Sequence, residues 1–522
     1  MERRVVIVGA GISALLACKY TMEKGFNPIV FEAESSIGGV WFNHTIKSTK
    51  VQNTREAYRF SDFDWPSPED DDGFPPHNEA LEYVRSYAKN FGLLPRIRLN
   101  CRVIGIQHVG VTAQEMEAWD LWGGTGTAFG SAGKWHVKVH NKETDTVEVH
   151  QAEFIILCIG RFSGLPNIPK LPPDQSIERF RGKVLNPMEY SALDDSAAAE
   201  LIEGKRITII GSGKSAVDIA AECADANGVR HPCTMIQRTI HWFIPDLFVW
   251  GAVGCLFMNR FGELLVHMPG ESFLRCLFVT LLSPLRWGAS KFVESCLRWK
   301  LPLKKYGMIP DRSFLEDLSS CTIGILPKNF YDKVEDGSII LKRLKKFGFV
   351  EEGVIIDGED QPIRSDVVIL ATGYKGDEKL ANMFKSPIFR ELIARSPTSS
   401  VPLYRQTIHP HIPSLAVIGY AESLANLPLF EIQCQWLAEF LEGNFVLPSI
   451  KEMEKDVKVW EEHRKQYAGR NFWRSCIGVS NIWAKDQLCK DMGCNPRRKK
   501  GFFAEWFQPY GPTDYVGLTR NS

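Results

Sequence analysis

Short apolar runs punctuate this chain, and two of them share one grammar. Val5–Val8 leads into Gly9, Ala10, Gly11, Ile12, Ser13 and Ala14 and then a helical pattern; Ile207–Ile210 leads into Gly211, Ser212, Gly213, Lys214, Ser215 and Ala216 and a second helical pattern. An unbroken run of β-branched residues ending at a glycine predicts a strand buried on both faces. Alternation of such strands with helices predicts an α/β fold, a parallel sheet with helices on its faces.

The far end of each unit repeats as well. KWHVKVH and TVEVH precede FIILCIG at Phe154–Gly160, while SIILKRL and GVIIDG precede VVILATG at Val367–Gly373. Each closing strand ends in a glycine about 150–160 residues after the opening glycines, so the chain contains an internal duplication. The proline-rich segment Leu165–Asp174 predicts an extended linker between the units. A further strand at Leu415–Tyr420 and a helical pattern at Phe430–Gly443 predict a return to the first unit. The expected boundaries are 1–175 and 375–447 for a discontinuous first domain, 176–374 for an inserted second domain, and 448–522 for a helical C-terminal extension.

Composition narrows the chemistry. The 522 residues are 44% hydrophobic, enough for two or three domains with a large core. Lys plus Arg and Asp plus Glu stand at 62 each, so no overall field favours nucleic acid or an anionic membrane. Thirteen scattered cysteines without Cys-x-x-Cys or His/Cys ligand spacing predict a fold without disulfides, no metal site and a reducing compartment. The N-terminus runs directly into the first strand, leaving no separate signal segment, and a cytoplasmic location is expected.

The apolar stretch Leu247–Met258 is too short to span a bilayer. With Phe273–Leu282 it predicts buried lid or core helices, contact with a membrane surface being the alternative. This insertion, about 245–301 with Trp250, Trp287 and Trp299, is expected either to line an access channel or to thicken its domain. Trp122–Gly133, the acidic run Glu69–Asp72 and the basic run Arg497–Lys500 are expected as exposed segments.

The two glycine loops suit two dinucleotides. Gly9 permits the tight turn, Gly11 the approach of a pyrophosphate, and Ala14 close helix packing. The next strand ends at Glu32, twenty-one residues beyond Gly11, where a carboxylate can accept from ribose hydroxyls and repel a 2′-phosphate. That loop therefore suits FAD or NAD. Gly211, Gly213 and Ala216 repeat the arrangement, but Arg238 and Thr239 follow the next strand where an acid would otherwise stand. A guanidinium there can fork onto a 2′-phosphate, which points to NADPH. Lys214 is either a phosphate contact or a solvent-facing lysine; Asp218 is expected to be structural.

Beyond Glu32 the motifs become specific. Gly38, Gly39, Val40 and Trp41 complete an EAxxxxGGxW string, Gln52-Asn53-Thr54 a QNT string, and Phe60–Pro66 an FSDFxWP string. In this order they resemble the class B flavin-containing monooxygenases, most of all the plant N-oxygenating branch, from Val5 to about Gly443. The family's identifying string is approximated by Phe180, Gly182 and Tyr190, with Asn186 in place of histidine, and LATGY stands at Leu370–Tyr374.

The resemblance implies two Rossmann-like domains of the glutathione-reductase type, FAD in the discontinuous first domain and NADPH in the inserted second. It implies that NADPH reduces FAD, that NADP⁺ stays bound, and that O₂ adds to give a C4a-hydroperoxyflavin that oxygenates a soft nucleophile. Asn53 would then lie beside the reacting carbon and stabilise the intermediate. N-hydroxylation of an amine or cyclic amino acid is the implied reaction, with S-oxygenation of a thioether as the alternative. Disulfide reductases share the double fold, but the one close downstream cysteine pair, Cys489 and Cys494, lies in the extension. Baeyer–Villiger relatives usually carry Trp where Tyr190 stands. An uncoupled NADPH oxidase or non-catalytic redox sensor is the remaining alternative, supported by Asn186 and by Phe430 where relatives commonly have Ser.

Overall fold

Two five-stranded parallel sheets carry the chain. The computed structural model describes residues 3–66, 73–343, 346–394 and 399–518. In the first sheet Val5–Val8 lies between Ile29–Phe31 and Phe154–Leu157, with Ile97–Arg98 and Leu415–Val417 at the edges. In the second, Ile207–Ile210 lies between Cys233–Gln237 and Val367–Leu370, with Ile339–Arg343 and Lys183–Leu185 at the edges. Every residue of the two central strands and of the two closing strands is buried, which is why they read as unbroken apolar runs. Each such Val or Ile contributes about 1.5–3 kcal/mol on burial.

The strand Leu415–Val417 does return the chain to the first sheet, and the helix that follows, Asn426–Glu442, packs against Ile12–Glu23. Two polar locks fix that packing. Tyr20 donates to Glu431 Oε1 at 2.8 Å, and Ser61 donates to the same carboxylate through its backbone N–H and its hydroxyl. Lys19 closes an ion pair with Asp62 at 2.5 Å. The FSDF segment is thereby a clasp on two helices.

The structure departs from the sequence expectations at several points. KWHVKVH and TVEVH do not join the parallel sheet; with Cys101–Val109 they form a separate antiparallel meander, because the four-residue turn at 142–145 can connect only antiparallel neighbours. Ile339–Arg343 of SIILKRL, by contrast, is an edge strand of the second parallel sheet. The glycine-rich loop at 122–133 is not simply exposed: Trp122 is buried and its indole N–H donates to the carbonyls of His409 and Ile412. Part of the basic run is likewise tied down, Arg498 to the carbonyls of Asp514 and Val516 and Lys499 to the Asp514 carboxylate. Glu69–Asp72 lies outside the described residues.

The apolar insertion is split between core and surface. Helix Leu247–Phe257 buries Val249, Val253 and Phe257, whereas Phe273–Leu281 buries only Val279 and so is not a core helix. Trp287 and Trp299 are exposed, and Trp250 is half-buried against the second core.

The expectation of no disulfide is also corrected. Cys321 and Cys476, 155 residues apart, are bonded, joining the segment after helix Phe314–Ser319 to the C-terminal extension. No local spacing announces a pair so distant in sequence. Without reductant, Cys321→Ser is expected to lower stability by about 2–4 kcal/mol in a denaturant titration. Dithiothreitol should shift the wild type equally and the variant not at all; a wild-type midpoint indifferent to reductant would show that the bridge contributes nothing.

Candidate functional site

The two glycine loops are built alike. Gly9 holds φ 102° and Gly211 φ 152°, and a Cβ at either would meet a carbonyl oxygen of the closing strand's end, Cys158 at 2.5 Å and Ala371 at 2.2 Å. Only glycine fits there. Gly9 N–H donates to the Phe31 carbonyl at 2.8 Å and Gly211 N–H to that of Ile236 at 3.0 Å, so each loop is threaded between the ends of two strands. Gly11 and Gly213 then open helices Ile12–Glu23 and Lys214–Asn227 with no capping side chain and no acid in the first turn. First-turn N–H groups are left to meet an external anion, which suits a pyrophosphate. Ala14 and Ala216 are fully buried, as close packing of helix on strand requires, and Ala10 is buried beside them. Ile12, Ser13, Ser212 and Lys214 are half-buried at the helix mouths, and Ser215 is exposed.

The strand ends beside the loops differ. Glu32 is buried; its Oε2 accepts from Ala10 N–H at 2.5 Å and its Oε1 from Glu34 N–H at 2.9 Å. Burial raises its pKa, and these amide donors oppose the shift. A carboxylate offers about four acceptor positions, so the two amides leave capacity for ribose hydroxyls. Arg238 is exposed one residue beyond Cys233–Gln237, with Thr239 half-buried next to it. Lys214 is half-buried, and its ammonium meets the buried Asp218 carboxylate at 2.5 Å.

Lys379 stands behind the first loop, donating to the carbonyls of Ile159 and Gly160 and to Ser163. Burial lowers its pKa to about 8, opposed by the Glu32 charge.

Gly39 lies over Gly11, its Cβ position only 3.0 Å from Gly11 Cα, and opens the short helix Val40–Asn43. Within it Val40 is exposed and Trp41 donates its indole N–H to Tyr58 at 2.7 Å. The QNT turn is the meeting point of three regions. Asn53 is buried and its amide donates to the Leu424 carbonyl at 2.8 Å, on the returning segment. Gln52 Oε1 accepts from Ile325 N–H at 3.3 Å, beyond the insertion, and Thr54 caps the turn through its carbonyl, which accepts from Ala57 and Tyr58.

The identifying string holds the second domain to the first. A Cβ on Gly182 would lie 2.4 Å from the Asp366 carbonyl oxygen and 2.3 Å from the Phe180 ring, so only glycine fits there. Tyr190 donates to Glu222 Oε1 at 2.8 Å, and Glu222 Oε2 accepts from Ser48 Oγ at 3.0 Å across the domains. Asn186 is a helix cap: its Oδ1 accepts from the N–H groups of Met188 and Glu189, and Glu189 accepts in return from Asn186 N–H. Thr372 and Gly373 of LATGY bond Asn167 of the linker. Glu222, Leu424 and Arg161 were missed from the sequence, as was the reach of Gln52 to Ile325. Arg161 is buried and reaches the carbonyls of Tyr420, Trp473 and Arg474 and the Asp377 carboxylate. For the Asn186 cap, the Asn-Pro-x-Glu string is a capping signature that could have announced it.

Two sheets of this topology, each with a glycine loop at the head of its central strand, define the class of oxidoreductase folds that handle two dinucleotides. The profile of the flavin-binding monooxygenase-like family matches residues 2–504, and the chain belongs to that family. An Arabidopsis thaliana protein named "Probable flavin-containing monooxygenase 1" is 41% identical over 515 residues, covering 98% of this chain and 96% of the relative. A Mus musculus dimethylaniline monooxygenase, N-oxide-forming, is 26% identical over 97% of this chain and 85% of its own. Among solved structures, the S-allyl-L-cysteine S-oxygenase from Allium sativum superposes with a TM-score of 0.57 at 18% identity, covering 94% of this chain and 88% of that one. The protein is thus a monooxygenase of the flavin-containing family.

Because Asn186 caps a helix, Asn186→His is expected to cost about 1 kcal/mol in chemical denaturation and Asn186→Ser only a few tenths. Equal stabilities for the His variant and the wild type would remove the cap from this account.

Proposed function

We propose that the first loop holds FAD, through Gly9–Ala14, Glu32, Gly39–Trp41, Asn53 and Thr54, and the second NADPH, through Gly211–Ala216, Arg238 and Thr239. In this reading 1–175 and 375–447 form the FAD-binding domain, 176–374 the NADP-binding domain, and 448–522 an extension. The observation that carries the assignment is the inequality of the two strand ends, a buried carboxylate at Glu32 and an exposed guanidinium at Arg238. Backbone geometry makes both loops nucleotide sites; charge makes them different ones.

Bound and reduced FAD supplies the oxygen activation. The chain's own part is to hold both nucleotides, to keep water from the reacting atoms and to present Asn53, whose amide is aimed by the Leu424 carbonyl. No acid–base triad is needed for attack by a soft nucleophile. The substrate is a small molecule oxygenated with O₂ at nitrogen, an amine or a cyclic amino acid. S-oxygenation of a thioether uses the same chemistry and is the second reading, favoured by the fold shared with the Allium enzyme.

Two experiments test this. With purified holoenzyme, NADPH and ¹⁸O₂, label is expected in an N-hydroxylated amine and not in water alone. Label confined to a sulfoxide would move the assignment to sulfur, and NADPH consumption yielding only hydrogen peroxide would overturn oxygen transfer. Arg238→Ala is expected to raise KM for NADPH at least about tenfold and leave that for NADH unchanged, since a charge-assisted bond contributes about 1.5–3 kcal/mol. Equal changes for the two nucleotides would contradict the assignment of the second loop.

A further inference from the structure

Helix Phe273–Leu281 uses little of its apolar surface within the fold. Its inner face holds Val279 and seats Arg275 against the Glu263 carbonyl and over the Trp483 ring. Its outer face presents Phe273, Leu274, Leu277, Phe278 and Leu281, with Phe273 80%, Leu274 77% and Leu281 69% exposed. At about 100° per residue these five fall within an arc of roughly 140°. Single exposed apolar side chains are ordinary, but a whole helical face of them marks an interaction surface.

The apolar surface continues on both neighbours. Along the next helix, Ser283–Lys300, Leu285, Phe292 and Trp299 recur every seventh residue and so share a stripe; Trp299 is 84% exposed. The short helix Arg260–Leu264, on which Arg275 rests, also carries the C-terminal helix Phe502–Phe507 through the Phe261–Phe507 ring contact at 5.2 Å. There Phe502 and Phe503 are exposed. Arg260 anchors that union with bonds to Asp486 and Glu505.

Charge identifies the occupant. The whole chain is balanced, yet Asp246 to Lys305 holds eight Lys and Arg residues and four acids, Asp246, Glu263, Glu271 and Glu294; from outside it Asp486 and Glu505 pair Arg260, and Glu335 pairs Lys305. Glu263 and Glu294 are buried, Glu271 is paired with His267 and Arg275, and Asp246 with Lys300. Two cations, Lys291 and Arg298, serve the single carboxylate of Glu294, and Lys304 is exposed nearby. The rim of the apolar face therefore carries an excess of positive charge. A second copy of the chain would set two positive rims against each other; a surface of anionic headgroups neutralises one.

We propose that this face is a docking surface for an anionic lipid bilayer, with helix Phe273–Leu281 lying in the headgroup layer parallel to the membrane. Nine residues span about 13 Å, against a hydrocarbon core of about 30 Å, so the helix can lie in the interface but not cross. Among the described residues no helix is long and apolar enough to cross a membrane.

The test is sedimentation of the holoenzyme with vesicles of phosphatidylcholine, alone or mixed with phosphatidylserine. Binding to the mixed vesicles is expected to exceed binding to phosphatidylcholine by at least about tenfold and to weaken with salt. The variant Phe273→Ser/Leu274→Ser/Leu281→Ser should lose at least about tenfold of that binding while keeping wild-type FAD content and NADPH turnover, since it removes only interfacial apolar surface. The proposal is overturned if the holoenzyme stays in the supernatant with both vesicle types, or if the variant binds as the wild type does. A wild-type dimer in solution that the variant dissociates would overturn it too, by naming a second copy as the occupant.

Discussion

The hydrogen bond from the buried amide of Asn53 to the Leu424 carbonyl is the constraint around which the rest is arranged. Away from water, removing one partner of such a bond costs about 1–3 kcal/mol, so the turn and the returning segment must keep company. Gln52 extends the junction to Ile325. Two residues before Leu424, Glu422 accepts from Arg474, and its backbone N–H and carbonyl bond Ser475 and Ile477. The disulfide then ties Cys476 of that segment to Cys321. Four stretches of chain far apart in sequence, 52–53, 321–325, 422–424 and 474–477, thus meet at one junction.

Duplication built the frame and divergence gave it direction. In both halves a glycine is wedged against the carbonyl of a closing strand and bonded to the end of the next strand, which fixes the loop whatever the side chains nearby. What was free to change is the residue that follows that next strand. Glu32 became part of its own loop through the Ala10 amide, while Arg238 was left projecting and exposed. On the proposed function, this difference separates the electron acceptor from the electron donor in one fold.

The same physics explains what could be seen in the sequence and what could not. Strands buried on both faces announce themselves as apolar runs, and a glycine forced into place by a carbonyl 2.2–2.5 Å away leaves a mark in every such loop. The parallel frame and both loops were therefore legible. Trp122 was not, because its neighbours are glycines and its burial depends on carbonyls at 409 and 412. The pairing of Cys321 with Cys476, the bridge Tyr190–Glu222–Ser48 and the outward face of Phe273–Leu281 are set by tertiary placement alone. Asn186 is the instructive case. As a departure from a family string it supported an uncoupled oxidase or a redox sensor; as a side chain it satisfies two orphan amides at a helix start.

The central claim is that the junction at Asn53 governs oxygen transfer after both nucleotides are in place. The most direct test is the ratio of oxygenated product to NADPH consumed by Asn53→Ala, measured beside its FAD content and its rate of flavin reduction by NADPH. The account predicts, per bound FAD, a reduction rate within about twofold of wild type and a ratio at least about tenfold lower, with hydrogen peroxide making up the difference. An unchanged ratio, or a loss confined to flavin reduction, would contradict it.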